Sequence, residues 1–180
     1  MFIQTEVTPN PNSLKFLPGK NVSNSGSFEV TKKEDTDNEL VRNLLSINGV
    51  TGVFLGADFL SINKKEDVIW EDIKHIVISL INDFYATGKE FVIANELFKK
   101  NNEELNKIEK QIISILETKI RPAVAKDGGD IKFKEFKDGI VKVELQGSCS
   151  GCPSSTMTLK QGVQNLLCHY LPEVKEVIAI

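Results

Sequence analysis

Three cysteines in 180 residues are too few for a disulfide framework, and any pairing leaves one over. That scarcity fits a reducing compartment, where closely spaced thiols serve metal binding or redox chemistry more readily than structure. Long apolar runs are missing too. The longest, Ile76 to Ile81, is core-sized and far short of a bilayer span. Neither sign of charge dominates: the net charge of −3 gives no field that would draw nucleic acid or an anionic membrane. The opening Met1-Phe2-Ile3-Gln4-Thr5-Glu6 has no basic region followed by an apolar stretch, and none of the Arg-rich character of a transit peptide. The expectation is therefore a chain without a targeting segment. Asn21-Val22-Ser23 matches a glycosylation sequon, but without a secretion signal it reads as chance. There is no H-E-x-x-H, no phosphate loop and no nucleophile–base signature, so nothing argues for hydrolysis or phosphoryl transfer.

What remains is an ordinary folded composition, 41% apolar and 26% charged, long enough for one large domain or two small ones. Phe2 to Val7 alternates like a strand. Thr8-Pro9-Asn10-Pro11-Asn12 then breaks it, because proline has no N–H to give a ladder. Leu14 to Leu17 predicts a second strand, and Asn21 to Ser27 reads as loop. Asp37 is placed to cap a helix carrying Leu40, Val41, Leu44 and Leu45. Val50 to Leu55 and Phe59 to Asn63 form a hairpin signal around Gly56-Ala57-Asp58. Ile69, Ile73, Ile76, Val77, Leu80, Ile81 and Phe84 recur at helical spacing.

The second half predicts an amphipathic helix on Leu105, Ile108, Ile112, Ile115 and Leu116, kinked or ended by Pro122 and stopped at Lys126-Asp127-Gly128-Gly129. Ile131 and Phe133, then Val141, Val143 and Leu145, alternate on either side of Lys137-Asp138-Gly139, which makes a hairpin with one buried face. Leu159, Val163, Leu166, Leu167 and Tyr170 mark a last helix, ended at Leu171-Pro172, with a final strand from Val174 to Ile180. The fold class expected is α+β: two small α/β-sandwich domains, β-β-α-β-β-α then α-β-β-α-β. The boundaries read as residues 1–87, a linker at 88–104 rich in Lys, Asn and Glu, and residues 105–180.

Cys149 and Cys152 carry the chemistry. They lie in Gly147-Ser148-Cys149-Ser150-Gly151-Cys152-Pro153, where a strand-like run ends and a helix-like run begins. Pro153 suits the first helical position, and the unpaired N–H groups and dipole of that helix end favour thiolate. Two thiols are half of a tetrahedral thiolate site. Four readings compete: an iron–sulfur cluster shared by two chains, zinc in the same bridging arrangement, a thioredoxin-like dithiol, and an unreactive pair. The spacing does not choose between iron and zinc. The dithiol reading is weakened because a hairpin, not a βαβ crossover, precedes the motif.

Cys168 is not a third ligand on this reading. It comes 16 residues after Cys152, roughly 24 Å along a straight helix, and falls opposite the Leu159/Val163/Tyr170 stripe as a partly exposed bystander. His169 shares the distance problem, and His75 lies off the apolar face of its helix. Asp127 and Asp130 suggest a cation site less simply than they suggest a helix stop and turn.

These residues bear a family resemblance. Ile120-Arg121-Pro122, Asp127-Gly128-Gly129-Asp130, the run from Leu145 through Cys149 and Cys152 to Lys160, and Pro172-Glu173-Val174 resemble the NifU-like (Nfu-type) iron–sulfur cluster carrier domain. The opening six residues, Thr8-Pro9-Asn10-Pro11-Asn12, Leu14-Lys15-Phe16-Leu17-Pro18-Gly19, Val53-Phe54 and Asp58-Phe59 resemble the N-terminal domain of the Nfu group. The resemblance implies a carrier, not an enzyme. It implies a [4Fe–4S] cluster bound through Cys149 and Cys152 of two subunits, making a homodimer when loaded. Upstream assembly machinery would supply the cluster, and apo iron–sulfur proteins would receive it. The N-terminal domain would recognise partners. The family occurs in bacteria and mitochondria, and the bacterial cytoplasm is the expected compartment, with the mitochondrial matrix as the alternative for a trimmed form.

Overall fold

A computed structural model describes residues 2–23, 26–90, 105–150 and 153–180, with backbone only for 153–156. The chain divides into two compact units, Met1–Ala94 and Asn95–Ile180. Most of the expected linker, residues 91–104, lies outside the described residues.

In the first unit a five-stranded antiparallel sheet runs in the order β1-β2-β5-β4-β3. Its strands are β1 (Gln4–Val7), β2 (Ser13–Leu17), β3 (Phe28–Val30), β4 (Val50–Leu55) and β5 (Leu60–Lys64). Helices α1 (Glu39–Ser46) and α2 (Trp70–Ala86) pack on one face of it. Leu14, Phe16, Val53, Leu55, Leu60 and Ile62 from the sheet meet Leu40, Val41, Leu44, Val77 and Ile81 from the helices, all buried. Alternation with period two on the strands and 3.6 on the helices is what lets one apolar face meet another. The proline cluster between β1 and β2 forms a tight turn. Thr8 Oγ1 donates to the carbonyls of Asn10 (2.8 Å) and Ser13 (2.9 Å), and Trp70 Nε1 donates to Pro11 O at 3.0 Å.

Two local expectations change. Asn38, not Asp37, caps α1, its side chain accepting from Val41 N at 3.1 Å. β3 is an additional strand: Phe28, Glu29 and Val30 pair with Leu55, Phe54 and Val53. At three residues it is too short to show alternation, and pairing with β4 creates it.

The second unit carries a three-stranded sheet in the order β6-β7-β8: β6 (Gly129–Lys137), β7 (Ile140–Gly147) and β8 (Glu176–Ala179). β6 and β7 form the expected hairpin, with a bulge between Phe133 and Glu135. Before it, α3 (Lys107–Ile115) runs through a π-helical turn (Leu116–Ile120) into α4 (Arg121–Lys126), with Pro122 in the first turn of α4. After it comes α5 (Pro153–Tyr170). Ile112, Leu116, Val124, Ile131, Val141, Val143, Leu145, Val163, Leu167 and Val177 make one buried core. Each unit is thus an α+β sandwich, as expected from sequence.

β8 pairs with β7 in parallel, so β7–α5–β8 is a βαβ unit. The topological objection to a thioredoxin-like dithiol therefore does not hold. The hairpin precedes the cysteine loop, but the crossover follows it, and a terminal strand shows its direction only when paired.

Candidate functional site

The cysteine loop begins where β7 ends. Gly147 takes φ +67°, a left-handed conformation that turns the chain out of the strand. Its carbonyl then accepts from Ser150 twice, from N at 3.2 Å and from Oγ at 2.9 Å. The loop lies on the turn between α4 and β6. Ser148 is 2% exposed; its N–H donates to Gly128 O at 3.2 Å and its hydroxyl donates to Asp127 O. Asp127 and Gly128 are the helix stop expected from sequence, with N–H groups donating back to Val124 and Ala125. They also offer their outward carbonyls as the platform for the loop.

Cys149 faces inward. It is 7% exposed and belongs to the core cluster of Ile112, Leu116 and Val124. A β-carbon on Gly129 would lie 2.7 Å from Cys149 Sγ and 2.6 Å from Gln146 O, so only glycine fits beneath the thiol. Cys152 lies outside the described residues. The backbone enters α5 at Pro153, so the loop does lie at a helix start, as expected.

Arg121 and Asp130 brace the platform. Arg121 Nε and Nη2 donate to the two carboxylate oxygens, each at 2.8 Å, and Ile131 N donates to Asp130 Oδ1, also at 2.8 Å. The Asp130 hydrogen bond holds the Arg121 guanidinium above its ordinary pKa, against partial burial that pulls it down. Asp130 thus pairs with a cation from its own chain rather than presenting a cation site. Nearby, burial lowers the pKa of Lys132, partly offset by the Asp130 carboxylate.

The other candidates separate from the loop. α5 runs unbroken to Tyr170, so Cys168 sits near its far end. Its partial exposure is as expected, but it packs against the core rather than opposite the apolar stripe. Cys168 is half-buried against the core, and its thiol donates to Val174 O at 3.2 Å, while Tyr170 is 49% exposed. The buried row is Val163 and Leu167, continued by Leu171 just past the helix end. His169 and His75 are both exposed. Among the described residues, no group of three or more His, Cys, Asp or Glu could hold a metal. No helix among them is long and apolar enough to cross a membrane.

Residues 112–178 match the NifU-like domain family, and residues 3–88 match the family described as scaffold protein Nfu/NifU N terminal. The human protein named NFU1 iron-sulfur cluster scaffold homolog, mitochondrial, is 44% identical over 180 residues, spanning 98% of this chain and 71% of its own. The chain belongs to the NifU-like family. NifU-like protein 4, mitochondrial, of Arabidopsis thaliana is 41% identical over 184 residues, 98% of this chain and 65% of that protein. The chain thus spans about two thirds of the length of such relatives. A solution NMR structure of a NifU-like protein from Saccharomyces cerevisiae overlaps 51% of this chain and 84% of its own at 31% identity and TM-score 0.47.

In this NifU-like chain, sequence reasoning missed the parts that hold the cysteine loop: Ser148, Gly129, the carbonyls of Asp127 and Gly128, and the Arg121–Asp130 brace. The signal was present in Asp127-Gly128-Gly129-Asp130. Read as a helix stop it is complete, and nothing local says that a loop 20 residues on will dock there.

Proposed function

We propose that the chain carries an iron–sulfur cluster as cargo. On this reading Cys149 and Cys152 of two copies ligate one [4Fe–4S] cluster, which then passes to apo iron–sulfur proteins. The observation that carries the reading is the incompleteness of the loop. Cys149 lies just before α5, and among the described residues no group of three or more His, Cys, Asp or Glu could hold a metal. Cys168 is taken away along α5. Thiolates are the donors that iron–sulfur clusters use, and a two-fold pair of loops supplies four. The match to the NifU-like and Nfu families, and relatives whose printed names say scaffold, support this reading over an enzyme.

Residues 105–180 are the cluster-binding domain on this proposal, residues 1–87 the partner-recognition domain, and residues 88–104 the linker. The relatives named mitochondrial favour the mitochondrial matrix over the bacterial cytoplasm. Upstream cluster assembly machinery loads the chain.

Anaerobic reconstitution with iron and sulfide, followed by metal analysis, a Mössbauer spectrum and sizing, tests the proposal. The expected result is about one [4Fe–4S] per two chains and a raised dimer fraction. A stable loaded monomer would overturn the bridging arrangement. Stoichiometric zinc in a colourless protein would favour a zinc-bridged module. Catalytic disulfide reduction by metal-free monomer would favour a dithiol oxidoreductase.

A further inference from the structure

We propose that Ser148 is a positioning residue that stores the Cys149 thiol inside the second unit until a ligand draws it out. Three observations converge. Cys149 is 7% exposed and packed into the core. Its Sγ occupies the space above Gly129 that any side chain at that position would fill. The residue before it, Ser148, is pinned at two points to the Asp127–Gly128 carbonyls and is itself 2% exposed. A thiol in this place cannot reach a group shared with another chain. Ser148 must first release, and Cys149 must turn outward.

The consequence for transfer rests on the carrier reading above. As a cluster leaves, the Cys149–iron bond breaks while an acceptor thiolate bonds the same iron. Each sulfur keeps its electron pair, nothing is oxidised or reduced, and the proton shed by the acceptor thiol ends on Cys149. The protonated thiol then returns to its place over Gly129 as Ser148 closes on Asp127. Re-burial removes Cys149 from competition for the iron, so the stored position favours release.

The test uses the full apo chain, reduced, with Cys152→Ser, so that Cys149 and Cys168 are the thiols that react with iodoacetamide. Peptide mass spectrometry reads each rate, and Cys168 is the internal reference for general loosening. In the parent, Cys149 reacts more slowly than Cys168. Ser148→Ala removes one buried hydrogen bond and raises the Cys149 rate roughly five- to tenfold with Cys168 unchanged. Equal acceleration of both cysteines, or none, overturns the proposal. So does a parent in which Cys149 reacts as fast as Cys168. If Ser148→Ala does not fold, Ser148→Gly removes the same hydroxyl donor without adding an atom, and it too must accelerate Cys149 selectively. In the chain with both loop cysteines, Ser148→Ala is expected to lose its cluster to a dithiol acceptor more slowly than the parent; equal or faster loss overturns the release role. Failure of every variant to load a cluster removes the carrier reading and with it the release role, while the labelling result still decides whether Ser148 stores the thiol.

Discussion

Arg121 grips Asp130 by both edges, with Nε on Oδ1 and Nη2 on Oδ2 at 2.8 Å each. The fork-to-fork geometry ties the first turn of α4 to the start of β6, on either side of the turn where the cysteine loop rests. The Asp130 side chain is almost fully buried, at 6% exposure, while the Arg121 side chain keeps 34%.

Asp130→Asn keeps the shape and loses the charge. Breaking a fully buried pair costs roughly 3–5 kcal/mol. With a third of Arg121 in water, the expected loss here is smaller, about 2 kcal/mol. Urea unfolding should show it, and hydrogen exchange should place the weakened amides in β6 and β7 rather than in the first unit. Unchanged protection in that hairpin would mean the pair is incidental.

Cys168→Ala should leave cluster loading intact, whereas Cys149→Ala or Cys152→Ala should abolish it. Iron and sulfide content after anaerobic reconstitution makes the comparison. Cys168 packs at the far end of α5 with its thiol on Val174 O, so its removal is a local packing change. Loss of loading in Cys168→Ala alone would show that the helix does not keep it from the site.

Tyr85 gives the first unit an alkaline limit. Burial, reinforced by the Glu90 carboxylate, pushes its phenol from 10.0 to about 12. The unfolded chain releases this proton first, so the folded state binds more protons between those values. The stability that follows is fully present below pH 10 and is lost as pH rises toward about 12. In a Tyr170→Phe background, absorbance titration should find the Tyr85 midpoint well above 10.0. Tyr85→Phe should remove its share of the alkaline loss in denaturation curves. A midpoint at the ordinary phenol value would contradict the burial.

Asn106 closes α3 with a capping box: its side chain accepts from Glu109 N at 2.9 Å, and Glu109 Oε2 accepts from Asn106 N at 2.8 Å. Asn106→Ala should cost about 1 kcal/mol. The loss should appear as faster amide exchange in the first turn of α3, and the loop around Cys149 should be unaffected.

Much of this was legible in the residues. Val141, Val143 and Leu145 alternate with Lys142 and Glu144, and that pattern alone predicts a strand with one buried face. Leu40, Val41 and Leu44 mark α1 in the same way, although the cap lay one residue further on, at Asn38. Side chains at Asp37 and Asn38 are both competent caps, and the choice depends on which backbone the loop presents. The parallel direction of β8 was hidden because four residues carry no directional signal. The buried stripe of α5 was misplaced at its end for a related reason: Tyr170 looks like core on a helical wheel, but the helix ends there and Leu171 takes the buried place, which leaves Cys168 partly exposed as expected but against the core.

The residue pattern was enough for the α+β character of both units, for the family, and for the pair of cysteines between a strand and a helix. Those follow from periodicity and from motif strings, which are local. It took the packed chain to show that Cys149 faces inward over Gly129, that Ser148 rests on carbonyls 20 and 21 residues back, and that Asp130 belongs to Arg121. Such contacts join segments distant along the chain. They exist only once β6 and β7 have paired in register and set Gly129 opposite Gly147.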